Sequence, residues 1–448
     1  MYLSNMKHIL LFGAGKSATF LINYLNELAE ANNYLVTVAD QSLQNVQSKV
    51  KNCAFVKAAA ANVVEEFERT TLIKAADIVI SLLPPSLHYL VAVDCIKYRK
   101  HLLTASYVDQ KIGALKLQIE SEKILFLCEM GLDPGIDHMS AMQLIHKIKA
   151  AGGKITSFRS HCGGLVAPES DDNPWHYKIS WNPANVVAAG KPGATFKENG
   201  EIKHLEYENL FSDKRPVSVN EDMLLSSYPN RDSLSYIPTY HLENAETFIR
   251  TTLRHPDFCV GWKTIIDLKL TNETVEFDTN NMTLANFFKA HLNYFGLNNW
   301  LIEKEVETSG LTDEAKLISK QLTFLGLRSN EPINQGKCTA AKVMQYILEK
   351  KLTLQRGDKD MVVMLHEIDH EVNGTQKKLK SSLIVRGEDN INTAMAKTVG
   401  LPLGIAAKLI LEGSLPITGL HIPTISEIYE PVLKELEKQG IVFTEEAE

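Results

Sequence analysis

Short apolar runs alternate with amphipathic stretches throughout the first third of the chain. Six of these runs have the composition of buried strands: HILLFGAG, YLVTVAD, CAFVKAA, DIVISLLP, HLLTAS and ILFLCEMG. Such runs are what strands need when helices cover both faces of a parallel sheet. Most of the intervening segments have helical spacing, as in KSATFLINYLNELAEANN. The alternation predicts a doubly wound α/β domain.

The first predicted strand ends in a glycine-rich turn. Its residues, Gly13 to Ala18, follow a GxGxxA pattern, which permits a tight turn and close approach of the backbone to a pyrophosphate. Asp40 ends the second predicted strand, where a carboxylate bonds the adenosine ribose hydroxyls and repels a 2′-phosphate. A helix cap or turn aspartate is the alternative role. The whole pattern predicts a Rossmann dinucleotide-binding domain, and NAD is favoured over NADP because no Arg directly follows Asp40.

Ligands of doubly wound folds bind beyond the carboxyl ends of the strands. Three of the predicted ends read SLLPP (81–85), TASY (104–107) and EMGLDPG (129–135). Ser106, Tyr107 and Asp133 are therefore predicted to face the cofactor and the substrate. Turn chemistry is the alternative, since Asp-Pro-Gly is a good turn sequence.

Charge and composition exclude several classes of protein. The 448 residues are enough for two or three domains, and 47 basic against 54 acidic side chains give a net charge of −7. Nucleic acid as a partner is not expected, because its phosphates demand clustered Lys and Arg. No apolar run approaches the roughly 18 residues that span a bilayer, and no signal peptide is apparent, so we expect a cytoplasmic protein with no membrane partner. Reduced thiols are expected as well, because no CxxC pair occurs among Cys53, Cys95, Cys128, Cys162, Cys259 and Cys338.

Beyond Gly135 the pattern changes to a second α/β domain, richer in aromatics, Thr and Asn through about residue 385. Arg231 in a predicted loop and Arg254 in a strand-like segment are candidate carboxylate clamps, because guanidinium offers a bidentate fork. Ordinary surface ion pairs are the alternative. The tail is predicted as a helix interrupted near residues 400–402, followed by an amphipathic helix through EIYEPVLKELEKQG.

Residues His366 to His370 match HExxH, the zinc signature of metallopeptidases. The surrounding MVVMLHEIDHEV is β-branched and roughly alternating, and Asn373-Gly374 followed by SSLIVRGE is typical of a hairpin. On a strand, residues four apart are separated by about 13 Å and cannot share one zinc ion. A metallopeptidase is therefore rejected, and no metal site is predicted.

The motifs together resemble the saccharopine dehydrogenases of the glutamate-forming kind, also called saccharopine reductases. The resemblance includes the carboxyl half of the bifunctional lysine-degrading enzyme of animals and plants. Matching stretches run along nearly the whole chain: DIVISLLPPSLH, TASYV, GLDPGIDHMSAM, HCGGLVAPESDDNPWHYKISW, YPNRDS, TTLRH, TAMAKTVGLP and EIYEPVL. The order of GLDPGIDH, CGGLxAPE and YPNRDS is specific to this family.

The resemblance implies a Rossmann domain (1–134), an inserted substrate-binding and dimerisation domain (135–390) and C-terminal helices (391–448) that return to the Rossmann domain. It implies reversible oxidation of saccharopine with NAD to L-glutamate and 2-aminoadipate 6-semialdehyde, in lysine metabolism and in the direction of degradation. A homodimer is expected.

The resemblance also assigns site residues, one by one. The cofactor positions are Gly13, Ala14, Gly15, Lys16, Ser17, Asp40, Gln44, Ser81, Leu82 and Ser180. The substrate positions are Ser106, Tyr107, Asp133, Arg231, Thr252, Leu253 and Arg254. Asp133 and Tyr107 are the catalytic candidates, expected to orient the substrate amine. NADP-using fungal members carry an arginine near the position of Asp40, so this sequence resembles the NAD type. This sequence departs from the family pattern at Lys16, Ser17 and Trp175-His176.

Two other functions stay open. One is another NAD(P)-dependent imine-reducing enzyme, of the carboxynorspermidine or homospermidine synthase type, which should lack the combination of YPNRDS and GLDPGIDH. The other is a non-catalytic NAD-binding sensor module, which would not need Ser106, Arg231 and Arg254 together.

Overall fold

A computed structural model describes residues 6–50, 54–213, 215–298 and 312–447. Cys53 lies outside these residues. The chain forms two compact units. Unit 1 comprises Met1–Lys154, His370–Gln376 and Ile391–Thr444, and unit 2 comprises Ile155–Asp369, Lys377–Asn390 and Glu445–Glu448.

The elements are numbered here in chain order. The strands are β1 (His8–Phe12), β2 (Leu35–Asp40), β3 (Val56–Ala60), β4 (Ile78–Ser81), β5 (His101–Thr104), β6 (Leu125–Leu127), β7 (Lys154–Val166), β8 (Ala194–Glu198), β9 (Glu201–Leu205), β10 (Arg215–Asn220), β11 (Met223–Pro229), β12 (Arg231–Asp232), β13 (Thr247–Arg254), β14 (Glu276–Asp278), β15 (Lys337–Thr339), β16 (Asp360–Val372), β17 (Thr375–Arg386), β18 (Gly419–His421) and β19 (Thr444–Ala447).

The α-helices are α1 (Thr19–Asn32), α2 (Leu43–Gln47), α3 (Glu66–Ala75), α4 (Pro85–Lys97), α5 (Gln110–Gly113), α6 (Lys116–Ser121), α7 (Ile136–Ala150), α8 (Pro183–Ala188), α9 (Tyr207–Leu210), α10 (Tyr236–Tyr240), α11 (Pro256–Asp267), α12 (Leu284–Tyr294), α13 (Asp313–Phe324), α14 (Ala340–Lys351), α15 (Ala394–Leu411) and α16 (Ser426–Lys438). Short 3-10 helices cover Lys16–Ala18 and Pro168–Ser170.

Unit 1 is built on a seven-stranded sheet of order β3-β2-β1-β4-β5-β6-β18, in which every pairing is parallel. Its first six strands are the six apolar runs of the sequence, and the order reverses between β1 and β4. The predicted doubly wound α/β fold is confirmed. The seventh strand, β18, comes from the C-terminal part of the chain, and its three residues carry no strand pattern of their own.

Helix α15 packs in unit 1 against α1, where a Cβ on Gly400 would lie 3.0 Å from the Cβ of Leu21. The helix continues through Pro402, so the predicted interruption is wrong. Pro402 is buried, and tertiary packing here overrides the helix-breaking tendency of proline.

By length and composition α15 could also cross a membrane, with a mean hydropathy of 1.5, although no such run was expected. However, 72% of it is buried inside the protein, as in a core helix.

Helix α7 belongs to unit 1, although the sequence pattern placed it at the start of the inserted domain. It packs against α16, and the phenol of Tyr429 contacts Nδ1 of His146 at 2.7 Å. Unit 1 therefore extends through Lys154, about a helix further than the predicted boundary at residue 134. Residues 391–444 form part of the same unit.

Unit 2 contains a ten-stranded mixed sheet with the main order β10-β11-β13-β7-β16-β17-β19, to which β8, β9 and β12 are added. Strands β16 and β17 form a hairpin around Asn373 and Gly374, and His370–Gln376 at its tip belong to unit 1. The HExxH sequence lies on β16, as its alternation predicts. Glu367 of that sequence pairs with His161 at 3.2 Å and with Lys380 at 3.7 Å. Helices α11, α12, α13 and α14 pack around a second core that includes Trp175 and Trp262.

Candidate functional site

The glycine-rich turn after β1 makes a close contact with the end of β4. Gly13 has a φ of 103°, and a Cβ there would lie 2.7 Å from the carbonyl oxygen of Leu82. The N–H of Leu82 donates to the carbonyl of Phe12 at 2.9 Å. Gly15 is exposed, and a Cβ there would have no protein atom within 4 Å. Gly13 thus permits the packing of the turn, and Gly15 leaves open space where a pyrophosphate could approach.

Asp40, at the end of β2, is tied to this turn. Its Oδ2 accepts from the N–H of Ala14 at 2.8 Å and its Oδ1 from the N–H of Ser42 at 2.9 Å. Lys49 donates to the carbonyls of Ala14, at 2.9 Å, and Gly15. Burial lowers the pKa of Lys49, and the nearby carboxylate of Asp40 opposes that shift. The carboxylate is therefore fixed beside the turn, where an adenosine ribose would bind.

The other cofactor candidates of unit 1 lie around the same turn. Lys16 is exposed and Ser17 half-buried in the 3-10 helix that leads into α1. Gln44 is exposed on α2, and the N-cap of that helix is Ser42. These three residues lie at or near the starts of the helices that follow β1 and β2. Because these two strands are parallel neighbours, all three residues lie beyond the carboxyl ends of the strands, on the same side of the sheet.

A buried imidazole connects the ends of β4 and β5. Nδ1 of His88, on α4, is 2.8 Å from the hydroxyl of Ser81, and its Nε2 is 2.8 Å from the hydroxyl of Ser106. The hydroxyl of Thr104 lies 3.3 Å from the same Nε2. Burial lowers the pKa of His88 to about 4, although Asp109 opposes the shift. A neutral His88 therefore orients two hydroxyls that the sequence predicts to face ligands.

A second buried group supports the loop that carries Ser106 and Tyr107. The backbone N–H of Glu129 donates to the carbonyl of Ser106 at 3.1 Å. One carboxylate oxygen of Glu129 lies 2.8 Å from Nε2 of His138, and both side chains are buried. Neither was among the predicted site residues. His138 is the last residue of GLDPGIDH, and Glu129 lies two residues before that motif, but residue type alone does not separate this role from core packing.

The loop of Asp133 folds tightly on itself. A Cβ on Gly135, whose φ is 148°, would lie 2.1 Å from the carbonyl oxygen of Gly131. Asp137 accepts from the N–H of Gly135 at 2.6 Å. A Cβ on Gly131 would lie 3.0 Å from that of Ala105, directly before Ser106 in the sequence. The loop of Asp133 therefore packs beside the segment of Ser106 and Tyr107, and Asp133 and Tyr107 are both half-buried.

Arg254, in unit 2, is a buried cation. It is 5% exposed at the end of β13, and its guanidinium lies 5.2 Å from the ring centre of Tyr177 and 5.5 Å from that of Phe258. It donates to the carbonyl of Leu253 at 2.8 Å, while its Nε has no hydrogen-bond partner. Within the described ranges no acidic side chain pairs with it. An unpaired buried cation is costly, so this guanidinium is suited to bind an anionic ligand.

The remaining predicted residues of unit 2 differ in exposure. Thr252 alternates with Leu253 on β13 and shares a face with Arg254. The side chain of Leu253 is fully buried in an apolar cluster, so only its backbone is available to a ligand. Arg231 is exposed on β12 with a φ of 52°. Ser180 is buried in unit 2, whereas the other cofactor candidates lie in unit 1.

Comparison with known proteins covers nearly the whole chain. A family model described as "Saccharopine dehydrogenase NADP binding domain" matches residues 9–127, and one described as "Saccharopine dehydrogenase C-terminal domain" matches residues 131–441. The apo histidine-tagged saccharopine dehydrogenase (L-Glu forming) from Saccharomyces cerevisiae is similar with a TM-score of 0.87 and 32% identity, over 99% of this chain and 100% of that one.

Two curated relatives differ in length. "Saccharopine dehydrogenase [NADP(+), L-glutamate-forming]" of Schizosaccharomyces pombe is 32% identical over 98% of this chain and 99% of its own length. "Alpha-aminoadipic semialdehyde synthase" of Arabidopsis thaliana is 34% identical over 92% of this chain. The aligned region spans only 41% of that protein.

The two glycines of the turn allow stability to be separated from cofactor binding. We expect Gly15→Ala to leave the unfolding free energy nearly unchanged and to weaken binding of the nicotinamide dinucleotide about tenfold, because its methyl group occupies the open space. Gly13→Ala should lose about 1–3 kcal/mol of stability through backbone strain and the contact with Leu82. Thermal unfolding and a fluorescence titration with NADH and NADPH measure both effects. Unchanged affinity in a folded Gly15→Ala variant would exclude this turn as the pyrophosphate site.

The buried His88 should make stability depend on pH. Its pKa in the folded protein, about 4, lies below the ordinary value of 6.5. Protonation therefore favours the unfolded chain, and the stability present above pH 6.5 is lost as pH falls toward 4. At pH 5 the loss is about 2 kcal/mol. We expect the stability difference between wild type and His88→Gln to shrink by about that amount between pH 7.5 and 5, as measured by urea unfolding.

The difference should be constant between pH 7.5 and 8.5, where the imidazole is neutral in both states. A difference that did not change from pH 7.5 to 5 would contradict a buried neutral His88.

Proposed function

The chain belongs to the saccharopine dehydrogenase family of nicotinamide-dependent oxidoreductases, and we propose that it oxidises saccharopine with NAD to L-glutamate and 2-aminoadipate 6-semialdehyde. The observation that carries the proposal is Arg254, a buried guanidinium without an acidic partner among the described residues. Saccharopine has three carboxylates, which a guanidinium fork binds through charge-assisted hydrogen bonds.

The reaction converts a secondary amine into two products. The carbon beside the amine, on the side that becomes the semialdehyde, loses a hydride, and the nicotinamide supplies the acceptor when bound. The resulting C=N bond of the substrate takes up water and breaks, which releases glutamate and the aldehyde. Saccharopine, NAD⁺ and water thus give glutamate, the semialdehyde, NADH and one proton.

Several side chains of unit 1 have the chemistry to orient the substrate amine. Ser106 carries a hydroxyl fixed by His88 at 2.8 Å, and Tyr107 follows it in the sequence. Asp133 lies in the adjoining loop and supplies a carboxylate that can accept an N–H of the amine. We propose that Asp133 and Tyr107 hold the amine while the hydride leaves, since a proton acceptor must lie within hydrogen-bond reach.

Asp40 supports NAD as the cofactor rather than NADP. A carboxylate at the end of β2 can accept from the ribose hydroxyls and repels a 2′-phosphate. Gln41, not an arginine, follows it. The family model that matches residues 9–127 is described as NADP-binding, and the fungal relatives of Schizosaccharomyces pombe and Saccharomyces cerevisiae are named for NADP(+). These names favour NADP, so the preference for NAD is a proposal that rests on Asp40 and Gln41 of this chain alone.

We also propose that the protein works in the cytoplasm, as a homodimer and in the direction of lysine degradation. The cytoplasm is supported by the scattered cysteines, which form no CxxC pair, the homodimer by what the family resemblance implies, and the direction by the proposed use of NAD, which favours oxidation. Cell fractionation and light scattering test the first two statements.

Reduction of NAD and NADP by saccharopine, followed by the absorbance of the reduced nicotinamide, tests the reaction and the cofactor together. We expect kcat/KM with NAD to exceed that with NADP at least tenfold. Asp40→Asn retains the shape of the side chain and removes its charge. It should therefore raise kcat/KM with NADP and reduce the preference for NAD. Equal use of both cofactors by the wild type would refute the role of Asp40 without refuting the enzyme. No reduction of either would refute the proposed reaction.

Arg231 is exposed, so its removal should leave folding intact. If it binds a substrate carboxylate, Arg231→Ala should raise KM for saccharopine about tenfold or more, the usual effect of losing a hydrogen bond to a charged group. NADH affinity should not change. Arg356→Ala, at another exposed arginine of unit 2, is the matched control and should keep wild-type kinetics. Unchanged saccharopine kinetics in Arg231→Ala would remove Arg231 from the site.

A further inference from the structure

Two histidines and a carboxylate meet at the amino end of α11. A ring nitrogen of His176, a ring nitrogen of His255 and a carboxylate oxygen of Asp257 all lie within 4.8 Å of one another. All three residues are half-buried. His176 belongs to the segment before Tyr177, whereas the other two begin α11, so the cluster joins two separate parts of unit 2.

A second carboxylate orients His176. Oδ2 of Asp171 lies 2.6 Å from Nδ1 of His176, and Nε2 of the same ring lies 3.3 Å from Oδ2 of Asp257. Histidines that bind metals commonly donate their other N–H to a carboxylate, which fixes the tautomer and directs the free nitrogen at the ion. Two ligands bound to tetrahedral zinc at about 2.0–2.1 Å are separated by about 3.3 Å. The pair of His176 and Asp257 has this separation.

His255 requires a side-chain rotation to become the third ligand. Its ring stacks on that of His176 with centres 3.9 Å apart and planes inclined by 27°. Its Nδ1 accepts from the N–H of Asp257 at 3.2 Å. The side chain is 36% exposed, which leaves room for the ring to turn.

We propose that His176, His255 and Asp257 form a binding site for a zinc-type divalent cation, with Asp171 as the orienting carboxylate and water as the fourth ligand. Imidazole and carboxylate together suit Zn²⁺ and its first-row neighbours better than Mg²⁺ or Ca²⁺. The ion joins the segment before Tyr177 to α11. Because Tyr177 and Arg254 adjoin the cluster in sequence and contact each other, the ion braces the surroundings of the buried guanidinium. The site does not depend on the proposed reaction.

Co²⁺ binding to the untagged, EDTA-treated full-length protein tests the site, because tetrahedral Co²⁺ has strong visible absorption and occupies zinc sites. We expect one Co²⁺ per chain, displaced by Zn²⁺. His176→Gln and His255→Gln should lose at least tenfold in affinity, and Asp171→Asn should lose about 10–100-fold. His204→Gln is the matched control, since His204 is an exposed histidine that contacts Glu206 at 3.0 Å, and it should bind like wild type.

Thermal unfolding checks that each variant folds without metal. Zn²⁺ should raise the unfolding temperature of wild type and of His204→Gln, but not of His176→Gln or His255→Gln. The proposal is wrong if these two variants keep wild-type Co²⁺ affinity, or if the wild-type protein shows no saturable binding up to millimolar Co²⁺. In either case the cluster is a set of ion pairs and nothing more.

Discussion

The pairing of β4 with β5 determines the chemistry at the edge of unit 1. In that register Ser81 lies opposite Thr104, so the side chains that follow the two strands emerge next to each other. A single imidazole, His88, can then reach the hydroxyls of Ser81 on β4, of Thr104 on β5 and of Ser106 just after β5. A shift of register would separate these hydroxyls, because the distance between successive residues of a strand exceeds a hydrogen-bond length. The placement of these hydroxyls thus depends on the packing of the apolar side chains of β4 and β5, which are fully buried.

Unit 2 uses a different arrangement to hold a charge. The guanidinium of Arg254 lies against aromatic rings rather than a carboxylate. Aromatic faces attract a cation, but they do not replace the hydrogen bonds lost on burial. The protein therefore retains an interaction that is incomplete without a ligand. Residues of this kind reduce the stability of a fold and are common where binding requires them.

Much of the fold, and less of the site, could be predicted from the sequence. The six apolar runs and the glycine turn of unit 1 are local patterns, and each corresponds to an observed strand or turn. Strand β18 has three residues and forms only because β6 is beside it, so no local pattern could indicate it. Pro402 lies inside α15 for a similar reason, since the surrounding core supports the helix.

The same distinction applies to the side chains of the site. Asp40 and Ser81 are the last residues of their strands and Ser106 follows β5, and the rule that ligands bind at strand ends identifies all three. His88 and His138 lie inside helices, where a histidine has no positional signal, and their roles depend on partners that only the folded chain brings near. The family resemblance places Leu253 among the substrate positions, and strand alternation turns its side chain into the core, so the prediction concerns its backbone.

The membership of β18 in the first sheet has a consequence for biosynthesis. A ribosome releases β6 long before β18, and until the later strand is made the backbone groups of β6 on that side have no partner. Unit 2 is synthesised almost entirely within this interval. An unpaired strand edge can pair with strands of other chains. The nascent chain therefore exposes an aggregation-prone strand edge on β6 while the nearly three hundred residues between β6 and β18 are made. Chaperone demand during translation should therefore be concentrated on the first sheet and should end when residues 419–421 leave the exit tunnel.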